Sequence, residues 1–223
     1  AVSVTTNDGD DKIDVSASAS GDSITVDAGS GADEVSVGSD TLSSSADLDG
    51  GAGTSDVLKI TGLDGSTFGG ATIAGFETAE ITAVDTADAD LDVVGAELEN
   101  VVVIANTTDD ADDMTLTNVG SESITLESTA ANNTFGDLVF SAASDASGDS
   151  ASLTLDNKSV DTLFDVKSIS ADTFETLNLT ISRAGDVTGG TAGEDIEIKT
   201  LSNLGASGDT LDIDGTGDLL IGS

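Results

Sequence analysis

Apolar residues recur at every second position in short bursts along the chain, separated by Gly, Ser, Asp, Asn and Thr. A period of two places the apolar side chains on one face of a β-strand, so each burst predicts a short strand with one buried face. The predicted strands contain residues 13–15, 24–26, 35–37, 58–60, 101–103, 114–116, 124–126, 138–140, 153–155, 177–181, 196–198, 211–213 and 219–221. The segments 2–6 and 218–223 are also strand-like, and only residues 85–99 are expected to form a short helix.

Three glycine-rich segments repeat with a fixed spacing near the start of the chain. They are NDGDDKIDV at 7–15, GSGADEVSV at 29–37 and GGAGTSDVL at 50–58, and their central glycines Gly9, Gly31 and Gly53 are 22 residues apart. Each period contains two turns and two short strands, which is the content of one coil of a solenoid. The repeat therefore predicts an all-β fold, a parallel β-helix or β-roll, in which successive coils stack as parallel strands.

A second recurring element consists of a large apolar residue, then Glu, then a strand. Its copies are AGFETAEITA at 74–83, AELENVVVIA at 96–105 and ADTFETLNLTIS at 171–182. We expect Phe76, Leu98 and Phe174 to be buried at corners where a coil turns inward. We expect the glycine- and aspartate-rich coils of residues 1–61 to continue without a linker into degenerate solenoid coils at 62–223.

The composition limits the chemistry that the chain can perform. It has no Cys and no His, which excludes disulfides, zinc–thiolate sites and His-dependent triads. With 43 acidic and 6 basic residues the net charge is −37, so nucleic acid is not an expected partner. No apolar run is long enough to span a membrane. Carboxylate pairs are abundant, but the chain has no Trp or Tyr to form a sugar platform, and we expect no enzymatic activity.

The acidic residues are mostly Asp, with 33 Asp against 10 Glu, and Asp and Gly together favour tight turns. A compact body with this charge repels itself, and bound divalent cations would relieve the repulsion, because carboxylate and carbonyl oxygens suit calcium. The alternative is that most Asp side chains are solvated and only keep the protein soluble. Thr-rich strands such as 114–118 and 177–182 raise the further alternative of an ice-binding face, but the Thr positions are not expected to keep one register.

The three glycine-rich segments resemble the RTX nonapeptide G-G-x-G-x-D-x-U-x, in which U is a large aliphatic residue. The match is best at Gly29, Gly31, Asp33 and Val35, while Asn7 replaces the first glycine of the first copy and Asp56 is shifted by one residue. The Phe-Glu-Thr elements are similar to those of RTX-type surface-layer proteins and extracellular adhesins of Gram-negative bacteria.

The resemblance implies that calcium is held in the turns between coils. The implied ligands are the carboxylates of Asp8, Asp10, Asp11, Asp33, Asp49 and Asp56 and the carbonyls of Gly9, Gly29, Gly31, Gly51 and Gly53. Two further acidic segments are weaker candidates, for which a solvated turn is an equal alternative. They contain Asp109, Asp110, Asp112 and Asp113, and Asp209, Asp212, Asp214 and Asp218.

The resemblance and the charge together predict an extracellular or cell-surface structural protein. One hypothesis is a calcium-stabilised solenoid that self-assembles into a surface layer or filament, since stacked coils have open ends. The alternative is a monomeric calcium-binding module of a large RTX-type adhesin. The expected partner is another copy of the chain, and a cell-surface polysaccharide is a second candidate.

Overall fold

The fold was analysed in a computed structural model, which describes residues 1–18, 22–38, 42, 45–63, 67–68, 71–83, 89–92, 98–105, 113–129, 134–144, 148–158, 163–183, 196–202 and 209–222. Within these ranges the regular secondary structure consists of β-strands, without a helix. The described part of the chain thus has no helix long and apolar enough to cross a membrane.

The strands are short and follow one another closely along the chain. In the first half they are β1 (Val2–Thr5), β2 (Lys12–Asp14), β3 (Ile24–Asp27), β4 (Ser30–Gly31), β5 (Glu34–Gly38), β6 (Ala46–Asp49), β7 (Ala52–Gly53), β8 (Val57–Leu63), β9 (Thr67–Phe68), β10 (Thr72–Ala74) and β11 (Thr78–Ala83). In the second half they are β12 (Ala89–Asp92), β13 (Asn100–Ala105), β14 (Met114–Val119), β15 (Ser123–Ser128), β16 (Thr134–Ala142), β17 (Ser150–Asn157), β18 (Phe164–Asp172), β19 (Thr176–Arg183), β20 (Ile196–Ser202), β21 (Thr210–Gly215) and β22 (Leu219–Ile221).

These strands form four sheets, and the pairs within them are parallel. The largest sheet has nine strands in the order β2-β5-β8-β11-β13-β15-β17-β19-β21. A seven-stranded sheet has the order β22-β20-β18-β16-β14-β12-β9, a four-stranded sheet the order β1-β3-β6-β10, and β4 pairs with β7. Up to β8 the chain alternates between the nine- and four-stranded sheets, and from β11 onward between the nine- and seven-stranded sheets. We call each circuit that returns to the nine-stranded sheet a coil.

The register of the pairs reproduces the repeat in the sequence. Val2 pairs with Ile24, which pairs with Ala46, so partners in the four-stranded sheet are separated by the same period as the central glycines. In the nine-stranded sheet Lys12 pairs with Glu34 at this same period, whereas the pair of Thr176 with Thr210 spans a much longer coil. The equal spacing of the first apolar bursts therefore corresponds to alternation between two sheets.

The core lies between the sheets and is filled by the alternate residues of each strand. Ile13, Val35 and Leu58 stack along the nine-stranded sheet, and all three are buried. Phe76, Leu98 and Phe174 are buried at the corners, as expected from the sequence. The rings of Phe140 and Phe174 pack with their centroids 5.9 Å apart, which joins a strand of the seven-stranded sheet to a corner of the next coil.

The prediction of an all-β fold with parallel strands is confirmed, and the topology is compatible with a β-helix-like fold. The helix expected at 85–99 is wrong where the structure describes that segment, because 89–92 form β12 beside β14. In that position the large apolar residue Leu91 is buried. Pairing with the neighbouring coil stabilises a strand that the local sequence pattern does not predict. β8 pairs with β11, so the nine-stranded sheet continues across residues 61 and 62, where the sequence changes from glycine-rich to degenerate coils.

Candidate metal centre

The three glycine-rich segments lie directly above one another at one edge of the stack. The amide of Gly9 donates to the carbonyl of Ser30 at 2.7 Å, and the amide of Ala52 donates to the carbonyl of Gly29 at 2.7 Å. Gly31 is the register partner of Gly53 in the β4–β7 pair. The repeats aligned by sequence are therefore stacked turns of consecutive coils.

Close stacking of these turns requires glycine. Gly29 has φ of +93°, and a Cβ at this position would lie 2.1 Å from the carbonyl oxygen of Asn7. Gly51 has φ of +89°, and its Cβ would lie 2.0 Å from the carbonyl oxygen of Gly29. Both the positive φ and the short approach exclude a side chain, which explains the glycine positions of the motif.

The aspartates of the motif form a ladder that links one coil to the next. The amide of Asp11 donates to Asp33 Oδ1 at 2.8 Å, and the amide of Asp33 donates to Asp56 Oδ1 at 2.8 Å. The amide of Asp56 donates in turn to Glu77 Oε2 at 2.6 Å. One carboxylate oxygen of each acceptor is thus used by the backbone of the preceding coil.

The second carboxylate oxygen of two ladder residues is left without a partner. Asp33 is 1% exposed and Asp56 is 0% exposed, and the Oδ2 atom of each is buried and accepts no hydrogen bond. Burial raises the pKa of the Asp56 carboxyl, and the negative charges of Glu77, Asp33 and Asp49 raise this pKa further. An ionised carboxylate in this setting is costly unless a positive charge accompanies it.

A carbonyl oxygen lies close to the unpartnered oxygen of Asp56. The position that a Cβ of Gly53 would occupy is 2.2 Å from the carbonyl oxygen of Gly31 and 2.6 Å from Asp56 Oδ2. A carbonyl and a carboxylate from adjacent coils therefore face the same small space beside Gly53. Both atoms are oxygens of the kind that calcium prefers as ligands.

The remaining residues of the first predicted set lie on the exposed side of the turns. Asp8 pairs through its backbone with Ser30, and Asp10 Oδ1 accepts the amide of Ala32 at 3.0 Å. Asp49 Oδ1 accepts the amide of Gly51 at 2.8 Å. In the described ranges no three acidic side chains converge closely enough to form a metal-binding group. The ladder explains this, because it distributes one carboxylate per coil along the stack.

The weaker predicted set divides into several environments. Asp109, Asp110 and Asp112 lie outside the described residues. Asp113 Oδ1 accepts the amide of Asp137 at 2.6 Å, so its carboxylate is hydrogen-bonded to the backbone of the neighbouring coil in the seven-stranded sheet.

The C-terminal acidic residues lie on or next to the last strands. Asp212, Asp214 and Asp218 are exposed, and Asp214 Oδ1 accepts the amide of Gly215 at 2.7 Å. Asp209 directly precedes β21, and its Oδ2 atom is buried without a hydrogen-bond partner. Asp209 therefore shares with Asp33 and Asp56 the feature that suits a cation.

Glu77 is a ladder residue that sequence reasoning missed. The Phe-Glu-Thr element was recognised for its buried Phe76, but its glutamate was not connected with the aspartates of the glycine-rich motif. A signal was present, because Glu77 follows Asp56 by nearly one period and directly precedes a strand, as Asp56 does.

The outer face of the nine-stranded sheet carries ion pairs and a Thr column. Lys59 Nζ lies 3.2 Å from Glu34 Oε2 and 3.6 Å from Glu80 Oε1, and its hydrogen bond to Glu34 lowers the pKa of that carboxyl. Thr125, Thr154 and Thr180 are register partners on consecutive strands. The expectation that Thr residues would not keep one register is therefore wrong for these three coils.

Comparisons with known proteins identified no relative of the chain. No family model matches it, no curated protein is similar to it, and no solved structure matches its fold.

Proposed function

We propose that the chain is a structural, extracellular β-solenoid whose coils are stabilised by calcium and whose ends or faces assemble into a surface layer or filament. The single observation that carries the calcium proposal is the pair of buried, unpartnered oxygens at Asp33 and Asp56. The carbonyl of Gly31 beside Asp56 adds a second donor of the type that calcium prefers.

The solenoid description rests on the register of the parallel strands. Consecutive strands of the nine-stranded sheet come from consecutive coils, and each coil contributes a second strand to the four- or seven-stranded sheet. Such stacking collects acidic turns of many coils at one edge. A net charge of −37 makes the stack self-repelling, and divalent cations between coils would offset that repulsion.

The proposal of self-assembly rests on the last strands. β21 and β22 are edge strands, and the two exposed large aliphatic residues of the described chain, Ile213 and Ile221, lie on them. An edge with open backbone groups and apolar side chains favours addition of a further strand. A second copy of the chain would cover this edge in a layer or filament. In the alternative, a monomeric module of a large adhesin, the neighbouring module would cover it. A cell-surface polysaccharide remains the second candidate partner, and it would take part in anchoring.

Calcium binding is tested by calorimetry and by thermal unfolding with calcium or with a chelator. Ligand at 100 times its dissociation constant stabilises the folded state by about 2.7 kcal/mol, so the melting temperature should rise clearly with calcium. The D33N/D56N variant should lose this response. Asp14→Asn is the matched control, because Asp14 lies in the same part of the chain but is exposed. An equal calcium response in D33N/D56N and D14N would refute the assignment.

Assembly is tested by light scattering and electron microscopy with and without calcium. Growth into sheets or filaments supports the layer hypothesis, and a persistent monomer supports the adhesin module. Replacing Ile213 and Ile221 by Ser should abolish growth if the C-terminal edge is the contact.

A further inference from the structure

Every strand of the nine-stranded sheet begins directly after an acidic residue. The nine residues form what we call the acidic column, and they are Asp11, Asp33, Asp56, Glu77, Glu99, Glu122, Asp149, Glu175 and Asp209. The strand register aligns the first six with one another and the last three with one another, with a shift of two positions between β15 and β17. The aspartates of the glycine-rich repeats and Glu77 thus occupy register-equivalent positions, and Glu175 lies two positions away at the start of its own strand.

Three of the five aspartates in this column differ from its glutamates in how their carboxylates are satisfied. The unpartnered buried carboxylate oxygens of the column belong to aspartates, namely Asp33, Asp56 and Asp209. In the described ranges no glutamate of the column has such an atom. All four buried oxygens without a partner in the described residues belong to aspartates, and three of these four aspartates directly precede a strand of the nine-stranded sheet.

Three column glutamates accept backbone amides, as the aspartates of the ladder also do. Glu175 Oε2 accepts the amides of Gly148 at 3.2 Å and Asp149 at 2.8 Å. Glu77 Oε2 accepts the amide of Asp56, and Glu122 Oε2 accepts the amide of Gly120. The two sets of residues therefore differ in burial rather than in this hydrogen bond. Glu77, Glu122 and Glu175 are less buried than Asp33 and Asp56.

We infer that burial of the column carboxylate divides the stack into coils with different cation requirements. Coils whose column aspartate has a buried, unpartnered oxygen need a divalent cation to order, whereas the other coils hold their turns without one. The coils from β11 to β19, whose described column residues have no unpartnered buried oxygen, then form a preordered body. The N-terminal coils, which contain Asp33 and Asp56, and the last coil, which contains Asp209, become ordered on this body when calcium is present. This inference rests on the calcium binding proposed above.

Glu77 is the positioning residue at the junction between the N-terminal coils and the preordered body. Its carboxylate holds the amide of Asp56, which belongs to the last aspartate coil before the preordered body. The side chain of Glu77 therefore acts through the backbone of its neighbour and determines where the cation-dependent part ends.

Hydrogen exchange of the full chain, read by mass spectrometry with calcium and with a chelator, tests the division. Chelation should accelerate exchange in β2 and β5 by at least about tenfold and change β13 and β15 by less than about twofold, since local opening is confined to the coils that lose their ligand. Equal acceleration in all four strands overturns the inference while leaving calcium-dependent folding intact. Absence of any change overturns the inference, and calorimetry in the same buffer then tells whether calcium binding, and with it the proposed function, fails as well.

Exchanging the two acids provides a charge-preserving test. Glu77→Asp should extend the chelator-sensitive region to β11, because an aspartate at this position, like Asp33 and Asp56, should accept the preceding amide through one oxygen and bury the other without a partner. Glu80→Asp is the matched control, since Glu80 lies on β11, the strand that Glu77 precedes, and is outside the column near Lys59. Unchanged protection of β11 in E77D overturns the inference. If E77D does not fold with calcium, Asp56→Asn replaces it as the test. In this variant β8 should stay protected from hydrogen exchange when a chelator is present. A loss of protection in β8 equal to that of the wild type overturns the inference.

Discussion

Replacing Gly29 by Ala should destabilise the glycine-rich coils through contact with the coil beneath. The new Cβ would lie 2.1 Å from the carbonyl oxygen of Asn7 and 2.9 Å from its carbonyl carbon, and neither atom can rotate away because both belong to the backbone. The residue also has φ of +93°. Strained backbone conformations cost about 1–3 kcal/mol, and overpacking costs typically about 1–3 kcal/mol. We therefore expect G29A to lower the free energy of unfolding of this region by about 2–6 kcal/mol.

Gly148→Ala is the matched control for the contact with the neighbouring coil. Gly148 has φ of +96°, almost equal to that of Gly29, but its Cβ would have no atom within 4 Å. G148A should therefore show the conformational cost alone, and the difference between the variants should be about 1–3 kcal/mol. The assay is urea unfolding in calcium-containing buffer, with hydrogen exchange of residues 22–38 and 148–158 to assign the loss to its region. Equal destabilisation by the two substitutions would refute the role of close stacking.

Three further predictions concern the core, the ladder and the outer face. Leu126→Ala, at a fully buried position, should lower the free energy of unfolding by about 2–5 kcal/mol in urea titrations, whereas Ile213→Ala, at a position 46% exposed, should change it by less than about 0.5 kcal/mol. The raised pKa of Asp56, which faces Glu77, Asp33 and Asp49, makes the folded state hold a proton more readily than the unfolded state. Without calcium, thermal melts should therefore show stability increasing as the pH falls from 7 towards the ordinary aspartate value of 3.8, and less so in D56N; an identical pH profile of the two proteins contradicts this reasoning. Lys59→Met breaks two partly exposed ion pairs and should cost no more than about 1 kcal/mol, and the cost should vanish in high salt if it is electrostatic.

The sequence was sufficient to predict the strands that carry a strong apolar alternation and the stacking of the repeats. Ile13, Ile24 and Val35 showed by their equal spacing that two strands fill each period. The one-residue insertion before Asp56 is absorbed by a register step that is one position longer, in which Glu34 pairs with Val57. The strands that were not predicted are β4, β6, β7, β9, β10, β12 and β18. β6 has a single large apolar residue, Leu48, and its place is determined by pairing with β3 rather than by local pattern.

The sequence could predict which residues form the candidate site. It could not predict which of their carboxylate oxygens are buried and which accept backbone amides. The motif spacing selected Asp33 and Asp56, but burial of one oxygen and use of the other by a backbone amide depend on the vertical distance between coils. Asp10 and Asp49 carry the same charge and lie in the same turns, yet their carboxylates bond turn amides at the exposed side. Composition cannot distinguish these two roles, because they differ only in the direction of the side chain.

The parallel register has a consequence for how the length of this protein changes in evolution. Each strand of the nine-stranded sheet pairs only with the strand before and the strand after it in that sheet. Tandem duplication of a segment such as 12–33 would therefore create new partners identical to those already present, and deletion of one segment would rejoin matching surfaces. Genes for such chains can therefore gain or lose whole coils by unequal recombination. A change in the number of coils, rather than point substitution, is the simplest way to change the length of the stack.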